Sequence, residues 1–275
     1  MKRIIFLIAV LIVLAGLGVG IQRIVHETVQ TTMPGQSYIV SLGDSVAAGA
    51  GLSDTGGRKP GDCDVSEKAY PTLLGKQLHK SVEQFACSGA TISAQTSANN
   101  LLKTQYKAAK QFLPDSDVVV YAGANDIGWL QLLSSCVQTD CATDDTSAAL
   151  LAKLPTLQAD MTALLTQLQQ SAPHRIAVNT YYNLLEPTDT CFAGAGVTPD
   201  EVGFIAAQEG LFNTAIGLAA TQLNIPTVAV DFSGHSLCSE QPWIQGVADR
   251  APLHPNALGQ QQIAAQDAAV LTSGR

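Results

Sequence analysis

The chain has 275 residues, of which 46% are hydrophobic and 14% are charged. This length and composition are sufficient for one α/β domain with a sizeable buried core, and they argue against disorder as the main state. The formal net charge is -8, and the 15 lysines and arginines form no basic run long enough to follow a phosphate backbone. The charge pattern therefore argues against nucleic acid as a partner.

An uncharged apolar run, residues 4–21, follows Lys2 and Arg3 at the N-terminus. As a helix it would be roughly 27 Å long, close to the thickness of a bilayer core, so it fits a signal peptide or a membrane anchor. The lack of a clear Ala-x-Ala cleavage site favours the uncleaved anchor. We expect residues 1–36 to be this segment plus a polar tether, and residues 37–275 to form an extracytoplasmic domain, secreted or anchored.

All six cysteines lie beyond the apolar run, at Cys63, Cys87, Cys136, Cys141, Cys191 and Cys238. An even count in an exported domain predicts disulfides, but the sequence does not choose among the ways of pairing them. Cys136 and Cys141 are close enough in the chain to close a small loop. No Cys-x-x-Cys and no histidine pair at ligand spacing is present, so we expect no metal site.

Apolar runs typical of strands alternate with stretches that have the periodicity of one-sided helices. The predicted strands cover residues 38–42, 82–86, 118–122, 175–181 and 227–232. The predicted helices cover residues 69–80, 99–112, 148–170, 199–223 and 256–271, with irregular loops at 49–67 and 189–200. This order predicts a doubly wound α/β domain with a parallel sheet of five strands.

Three of the predicted strands end in polar, glycine-containing segments. These are Gly43-Asp44-Ser45 after the first strand, residues 87–91 after the second and residues 123–126 after the third. Ligands of such sheets bind beyond the carboxyl ends of the strands. Ser45 is either the cap of the next helix or a nucleophile, and in the second case Gly89 and Asn125 are placed to donate to an oxyanion.

A serine nucleophile needs a base, and His254 lies in a proline-framed loop just before the last predicted helix. That position places the imidazole at the carboxyl ends of the strands, the same edge of the sheet as Ser45. His235 also follows a predicted strand and is either a competing base or a packing residue. The other histidines are expected at the surface: His26, His79 and His174.

A second serine motif, Gly234-His235-Ser236, resembles the nucleophile elbow of α/β-hydrolases. The position that should be glycine is Cys238, and residues 239–242 suit a loop better than the helix that an elbow requires. We therefore interpret Ser236 as part of a loop.

The blocks Gly43-Asp44-Ser45, Gly89, residues 123–126 and His254-Pro255-Asn256 occur in the order found in the GDSL/SGNH hydrolases, which the chain resembles over nearly all of the exported domain. The resemblance implies a flavodoxin-like three-layer α/β/α fold and a carboxylic ester hydrolase, a lipase or esterase, without cofactor or metal. It also implies Ser45 as nucleophile and His254 as general base. The oxyanion hole would consist of the N–H groups of Ser45 and Gly89 and the side chain of Asn125.

The chain departs from the family pattern three residues before His254, where Ala251 replaces the usual acid. In this respect it resembles the three-disulfide secreted lipases of actinobacteria, in which a main-chain carbonyl orients the histidine. We take the carbonyl of Ala251 as the candidate, with Asp249 as the alternative acid. The same resemblance implies three disulfides: Cys63 with Cys87, Cys136 with Cys141 and Cys191 with Cys238.

The sequence leaves the substrate open between a small-molecule ester and a lipid ester. Residues 130–133, 182–185 and 243–247 contain apolar side chains that suit an aliphatic acyl group if they line the cleft, and are otherwise packed core. An O-acetyl esterase acting on polysaccharide or cell wall is the alternative within hydrolases. Because the acid is absent at position 251, a non-catalytic binding protein on the same fold is the alternative from another class.

Overall fold

The computed structural model describes residues 37–52, 63–94 and 101–273. The predicted signal peptide or anchor, residues 1–36, lies outside the described residues. None of the helices in the described ranges is both long enough and apolar enough to span a bilayer.

The described residues contain one parallel sheet of five strands: β1 (Tyr38–Gly43), β2 (Ser81–Gln84), β3 (Asp117–Tyr121), β4 (Arg175–Asn179) and β5 (Thr227–Val228). The strand order is β2-β1-β3-β4-β5. Strands β1 and β3 are buried along their whole length, as expected for apolar runs that are covered on both faces of a parallel sheet. The predicted five-stranded parallel sheet is confirmed.

The helices of the described ranges are α1 (Ser45–Ala48), α2 (Tyr70–Leu78), α3 (Leu102–Ala109), α4 (Ala124–Ile127), α5 (Trp129–Gln138), α6 (Asp144–Leu151), α7 (Leu154–Gln169), α8 (Pro199–Thr221) and α9 (Ala257–Thr272), with 3-10 turns at Lys110–Phe112 and Ala193–Ala195. Helix α2 packs against α9, and α7 packs against α8. Helices α2 and α9 form one layer against the sheet, and α3, α7 and α8 form the other. This is the three-layer α/β/α arrangement that the resemblance implied.

The helix predicted over residues 148–170 is in fact two helices, α6 and α7. Thr143 caps the first by accepting a hydrogen bond from the N–H of Thr146 over 3.1 Å. Pro155 lies in the first turn of the second, the part of a helix where proline is tolerated because that N–H has no intrahelical partner. The prediction of one continuous helix was wrong because Pro155 marks a new beginning.

The fifth predicted strand, residues 227–232, ends as a strand at Val228. Beyond it, the N–H of Val230 donates to the side chain of Thr180 and the N–H of Phe232 to that of Asn183. Side chains therefore replace the strand carbonyls as acceptors. The run remains buried at Val230 and Phe232, which explains its strand-like sequence, but it leaves the sheet.

Three disulfides join Cys63 to Cys87, Cys136 to Cys141 and Cys191 to Cys238. These are the pairs that the resemblance implied. The first connects the loop that follows α1 to the segment that follows β2, so it links two of the polar strand exits.

A buried polar cluster lies at the sheet. Asp267 on α9 is fully buried, and its Oδ1 accepts a hydrogen bond from Nδ2 of Asn179 at the end of β4 over 3.0 Å. Burial raises the pKa of Asp267 to about 8. The cluster also holds the hydroxyl groups of Tyr70 and Tyr121, whose pKa values are raised well above the ordinary value by burial and by the nearby Asp267.

The sheet order reverses direction between β1 and β3. The chain leaves β1 towards β2 on one side and later crosses to β3 on the other. A crevice forms at such a switch point, outside the carboxyl ends of the strands. The segments beginning at Ser45 and Ala124 flank it, because they follow β1 and β3 directly.

Candidate active site

Ser45 and His254 meet at this crevice. Ser45 is the first residue of α1, and its Oγ lies 2.8 Å from Nε2 of His254, although 209 residues separate the two in the chain. His254 lies in the loop that precedes α9. The fold thus joins the end of β1 to the beginning of the last helix through one side-chain hydrogen bond.

The position of Ser45 follows from the residues before it. A side chain at Gly43 would collide with the carbonyl oxygen of Tyr121 in the neighbouring strand, so only glycine permits this close approach. Asp44 caps α1 by accepting from the N–H of Val46 over 2.9 Å. The main-chain N–H of Asp44 donates to the carbonyl of Tyr121 over 3.0 Å, which fixes the exit of β1 against β3.

The hydrogen bonds of His254 determine which ring nitrogen carries the proton. Nδ1 lies 2.9 Å from the carbonyl oxygen of Pro252. Because a carbonyl only accepts, Nδ1 must hold the hydrogen, and the lone pair of Nε2 faces the hydroxyl of Ser45. Burial lowers the pKa of His254 below its ordinary value, against the opposing effect of the carbonyls of Pro252 and Ala251. The imidazole is therefore a neutral proton acceptor near neutral pH.

The acceptor of the Nδ1 proton differs from the expected one. The carbonyl of Ala251 accepts instead from the main-chain N–H of His254, over 3.3 Å. Leu253 between them has a left-handed backbone, φ 67°, which turns the chain and brings the carbonyl of Pro252 to the ring. The expected carbonyl was that of Ala251; the carbonyl of Pro252 makes the hydrogen bond to Nδ1, and both carbonyls act to raise the pKa of His254.

The loop before His254 is held by its own polar side chains. The carboxylate of Asp249 accepts from the N–H of Gly246 over 2.7 Å, so it caps a turn and does not replace the missing acid. The N–H of Gln245 donates to the carbonyl of His254 over 2.7 Å, and its side-chain amide donates to the carbonyl of Ala50 over 2.8 Å. Gln245 thereby connects the histidine loop to the turn after α1.

Asn256, the last residue of the His254-Pro255-Asn256 motif, has a structural role at the beginning of α9. Its side-chain oxygen accepts from the N–H groups of Leu258 and Gly259, so it is the N-cap of α9. Its amide nitrogen donates to the carbonyl of Pro242 over 2.7 Å. The cap fixes where the helix begins, and therefore where His254, two residues earlier, lies.

Asn125 lies at the beginning of α4, directly after β3, and lines a small cavity together with Ser45 and His254. Its Nδ2 donates one hydrogen bond to the carbonyl of Ala90 over 2.9 Å. A side-chain amide has two N–H groups, so this bond orients the amide and leaves a second donor.

Gly89 lies in an exposed turn after β2 and is not among the residues that line this cavity. Its φ of 78° is a conformation that favours glycine, while a Cβ there would meet nothing within 4 Å. The N–H of Cys87 donates to the carbonyl of Gly43 over 3.0 Å, which keeps this exit beside that of β1. The turn is thus adjacent to the serine segment and sterically open.

Two tyrosines after β4 belong to the site, and neither was predicted to act through its hydroxyl group. The hydroxyl of Tyr181 donates to Oδ2 of Asp44 and accepts from the N–H of Ala124, so it joins the exits of β1 and β3. Asp44 is fully buried, and burial raises its pKa to about 7 although the hydrogen bond from Tyr181 opposes that rise. The hydroxyl of Tyr182 donates to the carbonyl of Leu253 over 2.7 Å and so holds the turn before the histidine.

The remaining candidates do not enter the site. The ring of His235 stacks on Trp243 with centroids 3.7 Å apart, and its Nδ1 lies 2.9 Å from the carbonyl of Gln241, as for a packing residue. Ser236 is buried in a loop and donates to Asp189 over 2.8 Å. His26 lies outside the described residues, and the two other histidines lie at the surface, His79 and His174. No group of three or more side chains able to bind a metal occurs among the described residues.

The walls of the crevice are largely apolar. The small cavity, of about 30 Å³, is lined by Trp129, Leu130 and Leu133 from α5 and by Leu184 after β4. A second cavity, of about 290 Å³, shares three of these lining residues, Leu133, Leu184 and Leu253, and includes Val247. Residues from all three predicted apolar segments therefore line this region or its neighbour.

Known proteins with similar sequences are lipases of Streptomyces. The chain is 27% identical to lipase 1 of Streptomyces coelicolor over 80% of this chain and 81% of that protein. It is 28% identical to a lipase of Streptomyces rimosus over the same shares.

Solved structures agree with this similarity. Phospholipase A1 from Streptomyces albidoflavus has a TM-score of 0.71 at 26% identity, with 87% of this chain and 100% of that chain covered. An extracellular lipase from Streptomyces rimosus, at 24% identity and a TM-score of 0.64, shows the same fold over the same shares. Residues 41–262 match the family model. The chain therefore belongs to the GDSL-like Lipase/Acylhydrolase family, and its resemblance to the GDSL/SGNH hydrolases is confirmed.

Proposed function

We propose that the protein hydrolyses carboxylic esters, with Ser45 as the nucleophile and His254 as the general base. The observation that carries this proposal is the 2.8 Å contact between Oγ of Ser45 and Nε2 of His254. A nucleophilic serine needs a neutral base within hydrogen-bond reach, and the carbonyl of Pro252 gives His254 the tautomer that can accept the proton.

The reaction proceeds in two halves. His254 takes the proton of Ser45 as Oγ attacks the acyl carbon, and a tetrahedral oxyanion forms. His254 then gives that proton to the departing alcohol. The acyl group stays bound to Oγ of Ser45 as an acyl-enzyme. In the second half, water gives a proton to His254 and attacks the acyl carbon. His254 then returns this proton to Oγ of Ser45 as the bond to the acyl group breaks, which releases the carboxylic acid and free Ser45.

Three donors stabilise the oxyanion in this proposal. They are the N–H of Ser45 at the beginning of α1, the N–H of Gly89 and the second amide N–H of Asn125. The first N–H groups of a helix lack intrahelical partners, which supports the role of Ser45. The hydrogen bond from Asn125 to Ala90 supports a fixed direction for its amide, as a preorganised oxyanion hole requires.

The imidazolium that forms during the reaction faces a neutral carbonyl instead of a carboxylate. Pro252 fixes the orientation of His254, but a carbonyl dipole stabilises a positive charge less than an ion does. We infer a Ser-His centre in which the His254 ring is held in the same orientation as in a triad, while its imidazolium form is stabilised less than a carboxylate would stabilise it.

The apolar walls support an ester with an aliphatic acyl group, in line with the lipase names of the sequence relatives. We propose a lipid or small-molecule ester as substrate, in preference to an O-acetylated polysaccharide. The three disulfides support an extracytoplasmic location, because such bonds persist in oxidising compartments.

Replacing the nucleophile tests the proposal. In Ser45→Ala, kcat for p-nitrophenyl butyrate should fall by about 10⁴-fold or more, with the thermal transition unchanged. Ser236→Ala, in the other serine motif, is the matched control and should keep its activity. Full activity in folded Ser45→Ala would show that the nucleophile is elsewhere, and loss in the control alone would favour the elbow-like motif.

A further inference from the structure

The hydroxyl group of Tyr181 lies between two segments that leave neighbouring strands. It donates a hydrogen bond to Oδ2 of Asp44 and accepts one from the main-chain N–H of Ala124 over 3.1 Å. Asp44 immediately precedes Ser45, and Ala124 immediately precedes Asn125. One oxygen atom therefore connects the segment of the proposed nucleophile to the segment of a proposed oxyanion donor.

The direction of these hydrogen bonds follows from their chemistry. A main-chain N–H can only donate, so the oxygen of Tyr181 accepts from Ala124 and its single hydrogen points to Oδ2 of Asp44. Burial and, second to it, the charge of Asp44 raise the pKa of Tyr181 well above its ordinary value, so the hydroxyl keeps that hydrogen near neutral pH. The other carboxyl oxygen of Asp44 accepts from the N–H of Val46 over 2.9 Å. The side chain of Asp44 thus also holds the main chain on the far side of Ser45.

The sheet fixes the two segments up to the ends of the strands. At that point the main-chain N–H of Asp44 donates to the carbonyl of Tyr121, the last residue of β3, over 3.0 Å. Ser45 and Asn125 lie beyond it, in helices of four residues each, α1 and α4. Helices of this length are unstable by themselves, because nucleation costs more than their few hydrogen bonds return. Their separation therefore depends on tertiary contacts such as that of Tyr181.

Tyr181 is itself held in place by α8 and by β3. The side-chain oxygen of Asn213 accepts from the N–H of Tyr181 and its Nδ2 donates to the carbonyl of Tyr181, each over 2.8 Å. The buried ring of Tyr181 lies edge-on to that of Tyr121, with centroids 4.8 Å apart, and 4.7 Å from that of Phe212. These contacts do not involve the hydroxyl group. They remain in Tyr181→Phe, which therefore removes the bridge and keeps its support.

We propose that Tyr181 is a positioning residue for ester hydrolysis, which sets the separation between Ser45 and the amide of Asn125 through its two hydrogen bonds. This inference rests on the proposed function. An oxyanion hole stabilises the transition state when its donors already converge on one point, and small displacements of such groups are costly. In this role the hydroxyl of Tyr181 does not contact the ester and acts through the two segments.

Tyr181→Phe tests the inference in the full chain, with p-nitrophenyl butyrate as substrate. Loss of the bridge should lower kcat at least about tenfold and change KM by less than about twofold, because the donors act on charge that develops only in the transition state. Tyr106→Phe on α3 is the matched control: it removes a hydroxyl that pairs with that of Ser171 over 3.0 Å, and both constants should stay unchanged. An unchanged kcat in folded Tyr181→Phe, or a rise in KM alone, would overturn the inference.

A double-mutant cycle separates positioning from a general loss of structure. If Tyr181 acts through Asn125, Tyr181→Phe should lower kcat by less than about twofold in the Asn125→Ala background, where no amide is left to position. Tyr182→Phe removes the hydroxyl that holds the carbonyl of Leu253 on the histidine side, so its cost should be the same factor in both backgrounds. Equal costs of Tyr181→Phe in both backgrounds would contradict a positioning role.

Ser45→Ala separates this inference from the proposed function. If Ser45→Ala is inactive and Tyr181→Phe is fully active, the inference fails and the proposed function stands. Full activity of folded Ser45→Ala contradicts the proposed function and the inference with it. Should Tyr181→Phe lack the wild-type thermal transition, Asp44→Asn replaces it in both tests with the same expected fall in kcat. The new amide oxygen can still cap α1, but the amide nitrogen cannot accept from Tyr181.

Discussion

The carbonyl oxygen of Pro252 lies 2.9 Å from Nδ1 of His254, in the place where a serine triad has a carboxylate. The left-handed turn at Leu253 makes this contact between residues only two apart in the chain. Tyr182 stabilises the turn through its hydrogen bond to the carbonyl of Leu253. Orientation of the imidazole is therefore built into the backbone of one short loop, without an acidic residue.

The first prediction concerns the pH dependence of hydrolysis. In the proposed mechanism neutral His254 is the active form, and burial lowers its pKa below the ordinary value of 6.5. Activity is thus lost as the pH falls through the lowered pKa and is kept above it. A plot of kcat/KM against pH should rise to a plateau with a midpoint below 6.5.

Asp44, next to the proposed nucleophile, also titrates, with a pKa raised to about 7 by burial. The profile of Asp44→Asn separates the two groups, because asparagine also caps helices but does not ionise. We expect the acidic limb to remain in this variant. A midpoint above 6.5 in both proteins would contradict the proposed environment of His254.

The second prediction concerns the oxyanion hole. Asn125→Ala should lower kcat by about 10²–10³-fold with little change in KM, because the donor acts on charge that develops only in the transition state. Gln111→Ala, in the 3-10 turn Lys110–Phe112, removes an exposed amide far from these cavities and should leave both constants unchanged. A rise in KM at constant kcat would show that Asn125 binds the ground state instead.

The third prediction compares two disulfides. The Cys191–Cys238 bond closes a loop with a sequence separation of 47, and the Cys136–Cys141 bond one of 5. Loop-closure entropy gives about 4 kcal/mol for the long loop and about 2 kcal/mol for the short one. One variant replaces Cys191 and Cys238 by alanine, and the other replaces Cys136 and Cys141. Denaturant unfolding should show the larger loss of unfolding free energy for the first variant. The reverse order would contradict this explanation.

The fourth prediction concerns the buried carboxyl group on α9. The pKa of Asp267 is about 8 in the folded protein against an ordinary value of 3.8. The unfolded chain therefore releases this proton first, and stability is lost between about pH 4 and pH 8, by about 1.4 kcal/mol per pH unit. Asp267→Asn removes this contribution, so its unfolding free energy should fall less steeply over that range. Parallel curves for the two proteins would show that Asp267 is ionised in the fold.

Much of the site followed from where polar residues stand relative to the strands. Ser45 and Asn125 directly follow buried apolar runs, and parallel strands bring such exits to one edge. Tyr181 and Tyr182 follow β4 and also lie at a strand exit, but Tyr181 was assigned to the predicted strand 175–181 and Tyr182 to a segment of cleft lining or core. Their hydroxyl groups instead bind Asp44 and the carbonyl of Leu253.

The choice between the carbonyls of Ala251 and Pro252 had no sequence signal. It depends on the positive φ of Leu253, a conformation that leucine rarely adopts and that the surrounding hydrogen bonds impose. The short helices α1 and α4 were missed for a related reason. Each has only four residues, too few for a hydrophobic period, and their positions are set by the strands before them.

Covalent labelling tests the central claim most directly. The folded wild-type protein is treated with a fluorophosphonate, which reacts with activated serines, and the modified peptide is located by mass spectrometry. We predict one adduct, on Ser45, formed in parallel with the loss of ester hydrolysis and strongly reduced in His254→Ala. Hydrolysis that persists with Ser45 unlabelled, or an adduct on another serine, would contradict the account.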